Sequence, residues 1–427
     1  MSLAAKALRL FHTVRYLRPV QIAARLGHVT GRGRRATGVG EPAPPSRRPA
    51  GTPAAFIAPP ASMLGAHRFR FLNVEGNLAD VASWNDPGKA KLWLYNLHYF
   101  QDLTAEGAGT RADWHRTLIA RWIADNAVGS GNGWEPYPIS LRAVSWIKWA
   151  LLGNALGDVA LGSLADQVRF LAARIEWHLL GNHILANAKA LLFAGAFFEG
   201  EEAAGWLRQG TAIYERELGE QILADGGHFE LSPMYHATIL EDVLDLVNVE
   251  RAFPGVLPRR LVAALSDRTT AMRRWLQVMS HPDGDIGFFN DAAFGIAPRP
   301  AEIEAYAGRL GLGRIAAPAD GVTQLAASGY VRLQAQDCVV LFDAARIGPD
   351  YIPGHAHADT LSFELSLGGE RLIVNSGTSV YAVGVERQRQ RGTAAHNTVL
   401  IDGADSSEVW GGFRVARRAR PLDVAAA

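Results

Sequence analysis

The hydrophobic spacing of this 427-residue chain changes once, and that change limits the folds it can adopt. Seven consecutive segments between about residues 91 and 310 place apolar side chains at mixed three- and four-residue spacing, as amphipathic helices do. Beyond Ser328 the spacing becomes alternating, which is typical of half-buried antiparallel strands. The pattern therefore predicts an all-helical domain followed by an antiparallel sheet domain.

The predicted helices span residues 116–127, 139–156, 161–180, 184–198, 203–223, 237–252 and 259–279. The predicted strands span residues 330–335, 338–343, 360–367, 371–374 and 398–402. We expect three regions: an amphipathic helix with a Pro/Gly/Arg-rich linker over 1–60, the helical domain over 61–315, and the sheet domain over 325–427. The last region is short for a two-sheet sandwich, so we expect its carboxyl end to be a truncated boundary.

Composition is that of an ordinary soluble globular protein, with 48% hydrophobic residues and a formal net charge of +1. That balance gives no whole-chain argument for binding nucleic acid or a membrane. Cys338 is the only cysteine, which excludes an intrachain disulfide framework and a cysteine-built zinc site. Its alternating surroundings indicate a strand residue.

The amino-terminal residues, 1 to about 26, mix Leu8 and Phe11 with Lys6 and Arg9, which predicts an amphipathic helix. They lack the uninterrupted apolar core of a signal peptide, and no segment reaches the roughly 18 apolar residues of a membrane span. We therefore expect a cytoplasmic protein without stable membrane insertion, with the periplasm or export by another route left open. Residues 31–60 are predicted to be extended or poorly ordered.

Histidines cluster in the carboxyl-terminal region, in Gly354-His355-Ala356-His357-Ala358-Asp359 and in Ala395-His396-Asn397-Thr398. His355 and His357 would share one face of a strand, because alternate residues do. Two such imidazoles can bind a metal or transfer a proton. A satisfied polar network is the other reading of this motif.

Six short strings together resemble the motif series of the heparinase II/III-type polysaccharide lyases, in order and over about residues 90–415. They are Tyr95-Asn96-Leu97-His98-Tyr99-Phe100, Trp134-Glu135-Pro136-Tyr137-Pro138, Gly181-Asn182-His183, Ser232-Pro233-Met234-Tyr235-His236 and the two histidine strings above. The resemblance implies an incomplete α/α toroid followed by an antiparallel β-sandwich. It also implies cleavage of an acidic, uronate-containing polysaccharide by β-elimination, in which the C5 proton is removed and O4 leaves.

The resemblance places the catalytic groups at Asn182 or its neighbour His183, at Tyr235 and at His355. Asn182 is favoured as the group that neutralises the substrate carboxylate, although Asn is also a common helix N-cap. Tyr235 matches the general acid, and possibly also the base; on local sequence alone it is a rim residue at a helix entrance. An unperturbed tyrosine pKa of about 10 is high for a base, so nearby cations would have to lower it, with His228, His236 and the arginines as candidates. His355 matches a base or its partner.

The resemblance also places a structural metal, usually zinc, at His357 and His396. Asn375 stands where the third ligand is typically an aspartate. An amide oxygen is a weaker donor to zinc than a carboxylate, so a hydrogen-bonded cluster is the alternative. No organic cofactor is expected.

Aromatic and polar side chains near the helix ends are candidates for a sugar-binding groove, with the hydrophobic core as their alternative location. They are Tyr95, Asn96, His98, Tyr99, Trp134, Glu135 and Tyr137. Arg387 and Arg391 would share one face of an extended segment and could bind substrate carboxylates or sulfates, or form a solvated strand edge. Two rival functions remain: a non-catalytic carbohydrate-binding protein, and a hydrolase using Glu135 and Glu230.

Overall fold

The computed structural model describes residues 2–29, 43–422 and 424. The α-helices in this part of the chain are α1 (Leu3–Val14), α2 (Pro19–Val29), α3 (Lys91–Tyr99), α4 (Ala112–Asp125), α5 (Pro136–Leu151), α6 (Asp158–Ala172), α7 (Gly181–Phe197), α8 (Glu201–Gln221), α9 (Pro233–Ala252), α10 (Arg259–Val278), α11 (Pro300–Arg309) and α12 (Val385–Arg391). The strands are β1 (Met63–Gly65), β2 (Arg68–Phe71), β3 (Val74–Asn77), β4 (Gly321–Leu325), β5 (Tyr330–Ala335), β6 (Cys338–Asp343), β7 (Phe363–Leu367), β8 (Glu370–Ile373), β9 (Val409–Trp410) and β10 (Arg414–Val415).

The chain forms two compact units that alternate along the sequence. The helical unit holds residues 23–216 and 245–263, and the sheet unit holds residues 1–22, 217–244 and 264–427. Their limits fall inside α2, α8, α9 and α10. Contacts thus divide the chain differently from the composition change near residues 315–325, and the predicted domain limits stay predictions.

The helical unit is built around α5 and α7. Almost every residue of α7 is buried, including Leu191 and Phe193 at 0% exposure, because this helix is apolar on all sides and not along one stripe. Pro136 opens α5, where proline lacks only an N–H that a helix leaves unpaired anyway. All seven predicted helices are present, although α6 ends at Ala172, well before the predicted end at residue 180. Helices α3, α11 and α12 were not predicted.

The segment before β1 is fixed where the sequence predicts a loose linker. The backbone N–H of Arg48 donates to the carbonyl of Phe197 at 2.8 Å, and that of Ala54 donates to the Asn248 side chain at 2.8 Å. Residues 43–60 thus follow the helical unit without forming a helix or a strand of their own. The first part of the predicted linker, residues 31–42, lies outside the described residues.

The sheet unit contains an antiparallel sheet of strand order β4-β5-β6-β7-β8. Val339 and Leu341 on one face of the sheet pack with Trp275 and Met279 of α10 in a buried cluster. The predicted fold class, a helical toroid followed by an antiparallel sheet domain, is confirmed by this architecture. Among the described helices, none is both long enough and apolar enough to cross a membrane.

Individual strand predictions differ from the structure at several places. Four of the five predicted strands are present, whereas β1, β2, β3, β4, β9 and β10 were not predicted. Residues 398–402 do not form a strand and contribute only the bridge between Ile401 and Ala404. β9 and β10 form a separate two-stranded pair.

Candidate active site

Tyr235 lies in the first turn of α9, as predicted. The Ser232 hydroxyl accepts a hydrogen bond from the Tyr235 backbone N–H at 3.2 Å, which caps the helix. Pro233 follows as the first helical residue. This local geometry leaves the Tyr235 side chain half-buried at a helix end.

His355 packs against Tyr235 within the sheet unit, with 3.9 Å between the two ring centroids. The His355 side chain is 13% exposed, so it lies at the surface of the cluster. The residues from His355 to Asp359 form a loop between β6 and β7, ahead of the strand at whose entrance the sequence pattern places the two histidines. The Asp291 N–H, which donates to the His355 carbonyl at 3.0 Å, fixes this loop.

Asp291 organises the cluster. Its carboxylate contacts Nδ1 of His355 at 2.9 Å and Nε2 of His357 at 2.8 Å, and it accepts a hydrogen bond from the Thr378 hydroxyl at 2.7 Å. Arg387 donates to both carboxylate oxygens. Burial alone would raise the pKa of Asp291, but the hydrogen bonds from His355, His357 and Arg387 outweigh it and hold the pKa well below its ordinary value.

This contact fixes how His355 presents its two nitrogens. An ionised carboxylate only accepts hydrogen bonds, so the proton on the Asp291 side belongs to Nδ1. Nε2 is then the nitrogen that can accept a proton, and it lies 3.6 Å from a carboxylate oxygen of Glu230. Glu230 is 1% exposed, which fits a buried partner of the imidazole.

A second tyrosine, Tyr381, contacts the Tyr235 hydroxyl. The two hydroxyl oxygens are 3.0 Å apart. Burial, with the nearby charge of Asp291 adding to it, raises the pKa of Tyr381 well above that of a free tyrosine. Tyr381 therefore stays protonated and can donate a hydrogen bond to the oxygen of Tyr235.

The two histidines expected to supply positive charge near Tyr235 are neutral at neutral pH. Burial lowers the pKa of His228 to about 4 and that of His236 to about 3. Nε2 of His236 contacts the Met272 carbonyl at 2.9 Å. The expectation of electrostatic help from these imidazoles is therefore wrong.

Asn182 and His183 lie at the start of α7 in the helical unit. Asn182 is the second residue of that helix and Leu180 occupies the N-cap position, so the capping alternative for Asn182 is wrong. The His183 ring centroid lies 4.4 Å from that of Tyr137, and its Nδ1 lies 3.2 Å from Glu176. Burial would raise the pKa of Glu176, but the neighbouring His183 is among the groups that bring it below its ordinary value.

The predicted sugar groove is only partly accessible. Tyr95, Asn96, Glu135 and Tyr137 are half-buried, and the Tyr95 hydroxyl donates to Glu135, which also pairs with Lys91.

The other three side chains of that set are buried in the helical unit, so the prediction that they line a groove is wrong. His98 is 0% exposed, Trp134 4% and Tyr99 6%. His98 contacts the Trp84 carbonyl through Nε2 and accepts a hydrogen bond from the Trp122 indole at Nδ1, each at 3.0 Å. Histidine is a polar residue type, which suggested a place in the groove. Both ring nitrogens of His98 instead have hydrogen-bond partners inside the core.

Arg387 and Arg391 do not face solvent, so their predicted role in holding substrate anions is wrong. The segment is the helix α12, not an extended strand, and both guanidinium groups are buried. Arg387 pairs with Asp291, and Arg391 donates to the Ala356 carbonyl at 2.8 Å. Both arginines hold the loop that carries His355.

A second cluster in the sheet unit consists of His357, Asp359 and His396, whose candidate ligand atoms all lie within 4.8 Å of one another. Nδ1 of His357 and Nε2 of His396 are buried without a hydrogen-bond partner, as expected for nitrogens that bind a metal ion. The third predicted ligand, Asn375, is wrong for this geometry because its amide oxygen contacts Nδ1 of His396 at 3.3 Å. The carboxylate of this cluster comes from Asp359.

Two family models match the chain. Residues 159–299 match the heparinase II/III N-terminus, and residues 317–426 match the heparinase II/III-like C-terminal domain. The chain belongs to the heparinase II/III family. The family resemblance carried by the six sequence strings is thereby confirmed.

Relatives of this family member include two heparin-sulfate lyases. The Bacteroides stercoris protein is 29% identical over 248 residues, covering 52% of this chain and 36% of the relative. The Pedobacter heparinus protein is 27% identical over 321 residues, covering 66% and 46%. The chain thus spans less than half the length of either relative.

Solved structures of heparinase III share the fold. One aligns with a TM-score of 0.59 at 18% identity, covering 81% of this chain and 58% of that protein. Another aligns with a TM-score of 0.54 at 22% identity, covering 78% and 61%. The predicted combination of toroid and sheet domain agrees with both.

Proposed function

We propose that this heparinase II/III family member is a polysaccharide lyase that cleaves a uronate-containing polymer by β-elimination. The observation that carries the proposal is the ring contact between Tyr235 and His355, with Asp291 on the Nδ1 atom of the imidazole. Such a pair supplies two proton-transfer groups side by side at an accessible edge. The heparin-sulfate lyases among the relatives support an acidic polysaccharide as the substrate.

The reaction needs proton transfer at two positions of the substrate. A base removes the proton at C5, and an acid protonates the O4 oxygen as the C4–O4 bond breaks and a C4–C5 double bond forms. The Tyr235 hydroxyl can donate the proton to O4. Nε2 of His355 is the available nitrogen for accepting a proton, since Nδ1 is held by Asp291.

Tyr381 extends this assignment to an ionised Tyr235. Its hydroxyl stays protonated and lies 3.0 Å from the Tyr235 oxygen, so it can stabilise the charge that Tyr235 carries after giving up its proton. The two tyrosines therefore have different roles, with Tyr235 exchanging the proton and Tyr381 donating a hydrogen bond.

Removing a proton next to a carboxylate also requires that the carboxylate charge be neutralised. The family resemblance assigns this task to Asn182, whose amide can donate hydrogen bonds to the acid group. Its place as the second residue of α7, near the positive end of the helix dipole, favours an anion there.

The cluster of His357, Asp359 and His396 fits a metal ion of zinc type, since two imidazoles and one carboxylate are typical zinc donors. Burial lowers the pKa of His396 to about 4, which keeps this imidazole in the neutral form that binds metals. We propose a structural role in which a bound ion would hold together the loops that carry these three side chains. The residues of the elimination step are Tyr235 and His355.

Product chemistry tests the proposal against its two rivals. Elimination creates a 4,5-unsaturated uronate that absorbs in the ultraviolet, whereas a hydrolase or a non-catalytic binding protein does not form it. We expect absorbance to rise with at least one polymer in a panel of heparan sulfate, chondroitin, alginate and bacterial exopolysaccharides. A flat signal with every polymer, or cleavage without absorbance, would contradict the proposal.

A further inference from the structure

Helix α1 packs on the sheet unit in the reverse of the usual orientation. An amphipathic surface helix normally buries its apolar stripe and exposes its polar one. Here the polar side faces the protein: the Thr13 hydroxyl accepts a hydrogen bond from the Trp410 indole at 3.1 Å, and the Arg9 guanidinium lies 4.8 Å from that ring. No residue of α1 is buried.

The apolar stripe of α1 faces solvent. Leu3, Leu10 and Val14 lie on one side of the helix at i, i+7 and i+11, and Phe11 adjoins them. Their exposed fractions are 86% for Leu3, 52% for Leu10, 56% for Phe11 and 42% for Val14. Four neighbouring apolar side chains on one short helix form a continuous patch, unlike the scattered exposed side chains of an ordinary surface.

Two basic side chains flank this patch, since Lys6 and Arg15 are exposed at the helix and just beyond its end. A third, Arg414, lies 4.7 Å from the ring of Trp410, which contacts the opposite side of α1. Among the described residues, no carboxylate lies within ion-pair distance of these three cations. Residues 1–40 contain eight of the chain's basic residues and none of its 42 acidic ones.

We propose that the exposed stripe of α1 and its basic border form a docking surface for an anionic lipid bilayer. Leu3, Leu10, Phe11 and Val14 would enter the boundary between headgroups and acyl chains, as apolar faces of interfacial helices do. Lys6 and Arg15 would meet the acidic headgroups. This surface lies on the membrane without spanning it, and the inference does not depend on the proposed lyase activity.

The positive border favours a lipid surface over a second copy of the chain. In a symmetric dimer the same patch would meet itself, and Lys6 and Arg15 would be brought toward like charges. An acidic bilayer satisfies the apolar stripe and the cations together. Trp410 and Tyr16, which lie among these arginines, are amphipathic side chains of the kind found at membrane interfaces.

The test is co-sedimentation of the full 427-residue chain with unilamellar vesicles of phosphatidylcholine alone or mixed with phosphatidylglycerol, at low and at high salt. We expect binding to the acidic vesicles, weakened by salt because the charges are exposed. Leu10→Glu with Phe11→Glu should lower binding at least tenfold without unfolding the protein, since neither side chain is buried. The double variant Val81→Glu with Val159→Glu places the same charges on exposed valines of the helical unit and should bind like the wild type.

A charge variant separates the two parts of the surface. Lys6→Glu with Arg15→Glu should lower binding to acidic vesicles by more than tenfold, since each basic residue near the headgroups contributes about a fivefold change. Equal binding to neutral vesicles, or none to either kind, overturns the proposal. So does a wild-type dimer, seen by light scattering, that the Leu10→Glu and Phe11→Glu variant converts to monomer.

Discussion

Asp291 holds Nδ1 of His355 at 2.9 Å, and the same carboxylate holds Nε2 of His357 at 2.8 Å. One buried acid therefore links the candidate base to a histidine of the metal-type cluster. Asp291 itself does not reach the surface, being 0% exposed, so its role is to position His355. The orientation of His355 is thus set by a residue 64 positions earlier in the chain.

Asp291→Asn should damage this arrangement although the side chain keeps its size. The amide group would face donors from His355, His357 and Arg387 with only one acceptor oxygen. We expect turnover to fall by about two orders of magnitude, the lower range for a misplaced acid or base, with little change in KM. We also expect unfolding free energy to fall by about 3 kcal/mol, because the Arg387 charge stays buried without its partner.

Thr378→Val provides the matched control, since it removes one hydroxyl donor to Asp291 and leaves the carboxylate in place. It should change turnover far less. Nitrogen NMR of labelled histidine would show whether His355 carries its proton on Nδ1 in the wild type and loses that preference in Asp291→Asn. An unchanged tautomer in the variant would remove Asp291 from this role.

Tyr235→Phe should preserve the fold and substrate binding while lowering turnover by about two to four orders of magnitude. Tyr381→Phe removes only the hydrogen bond to the Tyr235 oxygen, so a smaller loss is expected. The two variants should be compared by steady-state rates on the same polymer and by thermal unfolding. Near-normal turnover in Tyr235→Phe would exclude this residue from the mechanism.

Asn182→Ala tests the neutralising group. Because Asn182 is not the cap of α7, removing its amide should leave the helix start intact and lower turnover as strongly as the Tyr235 change. His183→Ala tests the neighbouring alternative, and a larger loss of turnover there would assign the neutralising role to His183. Loss of stability with unchanged kinetics would contradict a catalytic role for Asn182.

His396→Ala should abolish zinc binding and lower the melting temperature of the protein measured with zinc present, since structural metal binding is linked to folding. Asp359→Asn should weaken binding by removing the charged oxygen ligand, whereas Asn375→Ala should have the smaller effect of an outer hydrogen-bond partner, about 10–100-fold. Elemental analysis measures the bound zinc of each variant, and thermal shift with added zinc measures its melting temperature. A wild-type protein with no bound metal and no stabilisation by zinc would leave the cluster as hydrogen-bonded side chains only.

His98 predicts a pH dependence of stability. Burial, assisted by the nearby Arg142 charge, lowers its pKa to about 3, so folding requires the neutral ring. The unfolded chain takes up a proton below its ordinary pKa near 6.5, so the His98 contribution is complete above pH 6.5 and is lost as pH falls toward 3. Urea unfolding at pH 7 and pH 5 should differ by about 2 kcal/mol from this residue. The His98→Gln variant should show a correspondingly flatter profile; an unchanged profile would contradict the assignment.

Hydrophobic spacing predicted the helices and most of the sheet because those elements bury one side against a core. It missed β4, where Val322 is 43% exposed and gives a weak apolar signal. It also placed His355 at the entrance of a strand beginning at residue 360, whereas β7 begins at Phe363. The loop there is instead held by long-range contacts from Asp291 and Arg391, which no local pattern records.

The sequence motifs predicted the central residues of the candidate site but not the residues that hold them in position. Tyr235 and His355 were identified from their strings, and the structure brings their rings into contact. Asp291 and Tyr381 were not identified, since they stand 56 and 146 residues away from Tyr235 and belong to no motif. Asp359 belongs to the first histidine string. Its carboxylate, two residues after His357, could have been predicted from the sequence as a metal ligand.

Mass spectrometry of the cleavage products tests the lyase assignment most directly. The account predicts that each new non-reducing end is an unsaturated uronate, lighter by one water than a hydrolysis product, and that Tyr235→Phe forms these ends far more slowly than the wild type. Products that carry the added water, or an unchanged rate in Tyr235→Phe, would contradict it.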